Sequence, residues 1–392
     1  MLQAVLTLDI GVGNGLRNKL TVAVVKKDDA EASKLISSAY AIVFLVTSLL
    51  ALISVFAFDY LPWNVILNVE AQTVDITILA QTMKIVFCGV MLQLALKLIN
   101  SILYALQKSA LNNFLSLLSS VLILTYVSFA PSKTQEENLL SMAIINVAAV
   151  NLPLVCASVW VFWGELKKAK PSIRNASIAY AKNVMGAGMK FFCLQIAFMF
   201  ISSVNEYLIS FMCGPEYTVN YQVYHKVFGL VSGMLSLALL PIWSSVTKAQ
   251  AEKNYLWISK LYKTLCLAAL GISAISFIIV PFIEVIVNIW IGEGVIEVSQ
   301  SAAIIFCAYN MMFLWHNVNT TIANGLSYLK PQFIWLTVGA VAKIPVSYFC
   351  YWIMGDWSAI MLANCIVLLP LSIAQPIMLR KYLKQQTNIT SL

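Results

Sequence analysis

Apolar residues run along this chain in blocks too long to be strands or helices of a soluble core. The stretches AIVFLVTSLLALISVFAF (41–58) and LCLAALGISAISFIIVPFIEVIVNIWI (265–291) are nearly continuous. Each approaches or exceeds the roughly 20 residues that a helix needs to cross about 30 Å of hydrocarbon. Reading such blocks against charged and turn-forming gaps predicts eleven membrane-crossing helices. They cover about 1–18, 36–58, 76–106, 111–130, 139–163, 186–212, 219–246, 262–290, 299–326, 332–353 and 357–379.

Composition and charge sharpen this picture of an all-α polytopic membrane protein. The chain of 392 residues is 60% hydrophobic and 11% charged, against about 25% charge in an ordinary globular domain. Most of its 25 basic residues fall in alternate connections: Arg17 to Lys34, Lys108, Lys167 to Lys190, Lys248 to Lys263, Lys330, and Arg380 to Lys384. The opposite connections hold Lys133 beside acidic residues such as Asp59, Glu70, Glu216 and Asp356. Basic residues near helix ends resist translocation, so the first set is expected on the cytoplasmic side, with the C-terminus there too. The net charge of +8 is then topological and argues for no nucleic-acid partner. Residue 19 being cytoplasmic, the first crossing runs inward, and a further helix is expected ahead of it.

The eight cysteines stand singly in apolar runs, and His225 and His316 lack zinc-ligand spacing, so neither a disulfide framework nor a metal site is expected. No basic, apolar and small-residue leader opens the chain, so the first crossing is expected to direct insertion. The stretch LDIGVGNGLRNKL (8–20) has glycines at 11, 13 and 15, one residue short of a dinucleotide fingerprint and with no strand before it. No Walker sequence occurs elsewhere. Gly11 and Gly15 read instead as a small-x-x-x-small face for close helix approach.

Polar residues inside the predicted spans need a reason, because an ionisable group near the bilayer centre costs at least roughly 2.5–3.5 kcal/mol. Asp9, Lys84, Lys97, Glu206, Lys226 and Lys343 are of this kind, with Arg17 at a helix end. In the third span Gln93, Lys97, Asn100, Tyr104 and Gln107 share one helical stripe, and in the ninth Asn310, Asn317, Thr321 and Asn324 repeat it. Two readings fit: hydrogen bonds between packed helices, or a hydrophilic vestibule. In a vestibule the lysines outnumber Asp9 and Glu206, which favours an anion such as a diphosphate. A carboxylate there can bind a proton or sodium ion and couple it to movement.

The stripes belong to an internal repeat. Residues 13–40 correspond in layout to 237–263, and 100–114 to 319–333, as in transporters built from duplicated bundles. This predicts an N-terminal bundle, 1–180, and a C-terminal bundle, 181–392.

Four stretches together, LDIGVGNGLRNKL (8–20), VNEYLISFMCGPEYTVNYQVYHKVF (204–228), PIWSSVTKAQAEKNYLWISK (241–260) and IANGLSYLKPQ (322–332), resemble the bacterial oligosaccharide flippases. These are the polysaccharide transporters of the multidrug/oligosaccharidyl-lipid/polysaccharide exporter superfamily. The resemblance covers nearly the whole chain. It implies a MATE-like fold of two six-helix bundles related by pseudo-twofold symmetry, of which about eleven helices of twelve are present here and the first is missing. It further implies no enzymatic reaction and no cofactor, only coupling to a proton or sodium gradient. The implied activity is export of undecaprenyl-diphosphate-linked oligosaccharide across the bacterial inner membrane for O-antigen or capsule assembly, alongside polysaccharide polymerase machinery and membrane lipids. By the resemblance Arg17 matches the arginine of its GLRNKL element, Glu206 an acidic residue after asparagine, and Lys226 a basic residue before phenylalanine. The expected diphosphate and sugar ligands are Arg17, Lys84, Lys97, Lys226, Gln93, Asn100, Asn317 and Asn324, with Asp9 and Glu206 as ion-coupling groups. Three alternatives stand beside this one: a multidrug/cation antiporter of the same superfamily, a membrane-bound glycosyl-transfer or ligase enzyme, and an inactive truncated remnant.

Overall fold

The computed structural model describes residues 11–67, 74–129 and 134–390. Long helices fill them: α1 Val12–Val25, α2 Asp29–Ala57, α3 Ile76–Leu96, α4 Leu98–Ala105, α5 Ser109–Phe129, α6 Gln135–Trp163, α7 Ile178–Met212, α8 Tyr217–Ala251, α9 Tyr255–Ile291, α10 Gln300–Gly325, α11 Lys330–Met354 and α12 Ala359–Thr390. Ten of the predicted spans fall on these helices, the third being split into α3 and α4 at Lys97, while most of the first, 1–18, lies outside the described residues. Among the described residues nine helices are long and apolar enough to cross a membrane. Two predicted spans are outside that set. For α1 only Val12–Val25 is described, and α10 carries many polar residues, among them Asn310, His316, Asn317, Asn319 and Asn324.

Apolar side chains face outward as well as inward. Leu45, Phe56 and Met234 are 71%, 67% and 77% exposed, a distribution suited to hydrocarbon and costly in water. What is buried is chosen by fit: Leu16 and Leu20 of α1 pack with Leu35 and Ile36 of α2 and with Ile99 and Ile102 of α4. A second core joins Leu239 and Val246 of α8 to Ile258 of α9 and Val318 and Ile322 of α10.

The chain divides into two compact units, Met1–Met189 and Lys190–Leu392, and the dividing point falls within α7. Inside the first, α1 packs on α2 and α4, α2 on α3, α3 on α6, and α5 on α6. Inside the second, α8 packs on α9 and α10, α9 on α10, α10 on α12, and α11 on α12. Each pairing thus has its counterpart, with α1, α2, α3–α4, α5 and α6 matching α8, α9, α10, α11 and α12.

The turns repeat as closely as the pairings. The α1–α2 turn has Lys27 at φ 55° and the α8–α9 turn Lys253 at φ 57°. In the first, the Asp28 N–H donates to Ala23 O and the Asp28 carboxylate caps the Glu31 N–H. In the second, the Asn254 N–H donates to Ala249 O and the Asn254 side chain caps the Trp257 N–H. Gln107 (φ 62°) after α4 and Ser327 (φ 54°) after α10 form the other matched pair. A left-handed conformation costs a non-glycine residue about 1–2 kcal/mol, so its recurrence at equivalent places marks a shared architecture.

The glycine-rich opening stretch is a packing face. A Cβ on Gly15 would lie 2.5 Å from Val184 O and 2.8 Å from Gly188 N, and one on Gly188 would lie 2.6 Å from Gly11 O. Backbone therefore meets backbone between α1 and the first turns of α7, as small residues allow in lipid. Nothing surrounds a Cβ placed on Gly186. Accordingly Gly15→Val or Gly188→Val should destabilise the purified protein by about 1–3 kcal/mol through overpacking, whereas Gly186→Ala should hold or raise the thermal midpoint. A G15V protein as stable as the parent would contradict the close contact.

Candidate functional site

In the N-terminal unit the Tyr104 end of the third span's polar stripe meets α1. Arg17 is 3% exposed, and its guanidinium carbon lies 4.3 Å from the centroid of the Tyr104 ring. A cation so placed gains from the ring's electron-rich face, more so when desolvated. One turn before Tyr104, the side-chain oxygen of Asn100 is buried and accepts no hydrogen bond from the described residues. Such an atom normally has a water or ligand donor. Gln93 and Lys97 continue the stripe, half-buried, with Lys97 at the α3–α4 break where the helical pattern is interrupted. Folding therefore brings Arg17 from α1 onto Tyr104, one turn from Asn100 on α4.

Lys84 does not join them. It pairs with Asp59, whose side chain is 59% exposed, and it precedes Lys97 by 13 residues, roughly 20 Å of helix. That is an ion pair near an open end of the bundle. Asp9 lies outside the described residues.

In the C-terminal unit a cavity of about 360 Å³ opens between α7, α8 and α10, with Met361 of α12 at one side. Its wall is largely aromatic, including Phe198, Phe228, Phe306 and Tyr309, with Ser202, His225 and Asn310 as polar points. One turn beyond Ser202 stands Glu206, exposed and accepting a long hydrogen bond of 3.5 Å from Gln222. Glu206 is close enough to Tyr221 and His225 to act on both electrostatically. Tyr221 stacks on His225 at 5.6 Å and accepts a hydrogen bond of 3.2 Å from Asn205. The side-chain oxygen of Asn205 is itself buried and accepts nothing from the described residues.

The remaining predicted groups are placed differently from the vestibule reading. Lys226 is exposed and does not line the cavity, since its stripe on α8 continues through Leu230 and Leu237, which are exposed. Lys343 is fully buried and donates to Ile360 O at 3.0 Å, so packing rather than a watery space receives it. Asn317 donates to Ser236 at 2.9 Å and Asn310 to Ser276 at 2.7 Å. At these two asparagines the ninth-span stripe is a set of bonds between helices, although Asn310 also borders the cavity. Asn324 is buried near the end of α10.

Sequence reasoning missed Asn205, Tyr221 and His225 as a group. Zinc-ligand spacing is not what marks His225; a histidine four residues after a tyrosine in an apolar span is itself a signal.

No family model matches the chain, and no curated protein matches it. Solved structures do. A MATE protein in complex with MaD3S superposes with a TM-score of 0.81 at 12% identity, over 99% of this chain and 86% of that one. The Vibrio cholerae MATE transporter VcmN in its bent form gives 0.75 at 14% identity, over 98% and 87%. A transporter of the same superfamily from Pyrococcus furiosus, whose binding pocket is described as having reverse polarity, gives 0.74 at 13% identity, over 98% and 86%. The chain is a polytopic, all-helical membrane protein with the MATE fold.

His225 lines the cavity while His316 is 5% exposed, stacked on Phe198 and near Thr320. Diethyl pyrocarbonate applied to the protein in detergent should therefore modify His225 and spare His316, as read by peptide mass spectrometry. Equal labelling of both would mean that the cavity wall is not closed around His316.

Proposed function

We propose that this chain is a bacterial inner-membrane exporter that moves undecaprenyl-diphosphate-linked oligosaccharide between leaflets by alternating access. The MATE fold supports a transporter. The observation that favours an anionic cargo is the guanidinium of Arg17, buried against Tyr104 beside the Lys97 and Asn100 stripe. Arginine presents paired donors to phosphate, and a diphosphate supplies the matching acceptors. In this reading Arg17 and Lys97 hold the diphosphate, Gln93 and Asn100 contact it or the first sugar, and the lipid tail stays in the bilayer. Lys84 and Lys226, held apart from that group, have auxiliary parts at most. Glu206, with Tyr221 and His225 beside it, is the coupling group that takes up a proton or sodium ion. No covalent step is needed.

A second reading draws on the C-terminal cavity. An aromatic wall of about 360 Å³ with a carboxylate nearby suits an organic cation, held by ring faces and countercharge. That is the cargo expected of a multidrug antiporter.

The two readings separate in one experiment. The gene is expressed in a flippase-deficient strain, and surface polysaccharide and drug susceptibility are scored together with protein abundance in the membrane. Restored polysaccharide that falls about tenfold or more in Arg17→Gln or Lys97→Gln, the effect of losing one charge-assisted hydrogen bond, supports lipid-linked cargo. Unchanged polysaccharide in both variants at normal abundance defeats it. Drug resistance lost in Glu206→Gln, without any polysaccharide phenotype, establishes the antiporter instead.

A further inference from the structure

The first turns of α9 and the last turns of α12 enclose a second cavity, of about 520 Å³. From α9 come Ser259, Tyr262, Lys263 and Cys266, and from α12 Arg380, Lys384 and Thr387 are among its walls. On each helix these positions recur at three or four residues, so two helical stripes face one another. Tyr262, Cys266 and Leu383 are buried and make the floor, while Lys263, Arg380 and Lys384 are exposed at the rim. Among the described residues the lining carries three cations and no carboxylate. The salt bridges among the described residues, Lys84 with Asp59 and Lys108 with Glu165 in the N-terminal unit, involve none of the three. The floor is held in place, because the Tyr262 hydroxyl donates to the Asn319 side chain and Arg380 reaches both Tyr262 and Cys266.

Three like charges converging on one concave space without a countercharge repel one another unless an anion enters. The rest of the setting says which anion. The cavity lies at the basic end of the unit, near Lys253, Lys260 and Lys381, the end that the charge distribution makes cytoplasmic. Along α9 the side of Lys263 continues one and two turns on to Leu267 and Leu270, which are 70% and 56% exposed. A phosphate group at the rim would thus have an apolar path for an acyl chain beside it. Basic pockets between transmembrane helices on the cytoplasmic side are suited to anionic lipid headgroups.

We propose that the space between the start of α9 and the end of α12 is a binding site for the phosphate headgroup of an anionic phospholipid of the inner leaflet, held by Lys263, Arg380 and Lys384. The site is separate from the cargo groups and stands whether the cargo is a lipid-linked sugar or an organic cation. Its ligand is a resident of the membrane and fastens the C-terminal helix to α9.

The test is native mass spectrometry of the full-length protein, with phosphatidylglycerol, phosphatidylethanolamine or inorganic phosphate added in parallel. The parent chain should retain phosphatidylglycerol in preference to phosphatidylethanolamine. Each charge removed should weaken retention roughly fivefold, so that K263Q/R380Q/K384Q loses it on the order of a hundredfold. The variant K253Q/K330Q, which removes two charges outside the cavity, should keep it. If the triple variant is poorly produced, the exposed single substitution R380Q gives the same direction, and R380K restores part of the binding. Equal retention by the triple variant or R380Q and the parent, equal retention of the two lipids, or binding of inorganic phosphate without lipid would each overturn the proposal.

Discussion

Hydrocarbon offers no hydrogen bonds, and this single constraint shapes the chain from its backbone to its few charges. An N–H or C=O left without a partner in the bilayer costs several kcal/mol, so the spanning segments close most such bonds within themselves as helices, with exceptions at internal prolines such as Pro153 and Pro241. Side chains obey the same rule. Thr47 donates to Val43 O and Ser347 to Lys343 O, each turning back one helical turn. Lys343 goes to Ile360 O. Against this economy, twelve buried side-chain nitrogen and oxygen atoms have no partner among the described residues, and two of them are the oxygens of Asn100 and Asn205.

Both atoms sit where the functional reading is concentrated. Asn100 is one turn from Tyr104, which meets Arg17, and Asn205 neighbours Glu206 and bonds to Tyr221. The two units place different chemistry there. The N-terminal one collects cations and amides on α1, α3 and α4, while the C-terminal one surrounds a cavity with aromatic rings beside a carboxylate and a histidine. A duplicated scaffold has thus been given two unlike surfaces, which suits a carrier whose cargo and coupling groups are held on different bundles.

The scaffold itself is economical. Among the described residues four left-handed, non-glycine turn residues occur as two matched pairs, and five helix pairings of one unit recur in the other. Close backbone contact then adds what apolar side chains do not in lipid, since a leucine is as comfortable against an acyl chain as against another leucine. The approach of Gly15 to Val184 O and Gly188 N is of this kind.

Sequence alone determined the helical class, the positions of the nine helices long and apolar enough to cross among the described residues, the internal repeat and the use of the early glycines. Each follows from a local or periodic property: run length against bilayer thickness, turn residues at fixed offsets, absence of a Cβ. It also put Gln93, Lys97, Asn100 and Tyr104 on one stripe, on the premise of one continuous helix, which the break at Lys97 interrupts. What it did not determine is which polar groups meet. Arg17 over Tyr104, Lys84 with Asp59, Lys343 against Ile360 O, and Asn317 with Ser236 all join residues on different elements. A lysine in a span reads the same whether it is ion-paired, sealed or exposed. Only the tertiary structure decides among these, because the free energy of a charge in a membrane protein is set by the partner brought beside it and not by its place in the chain.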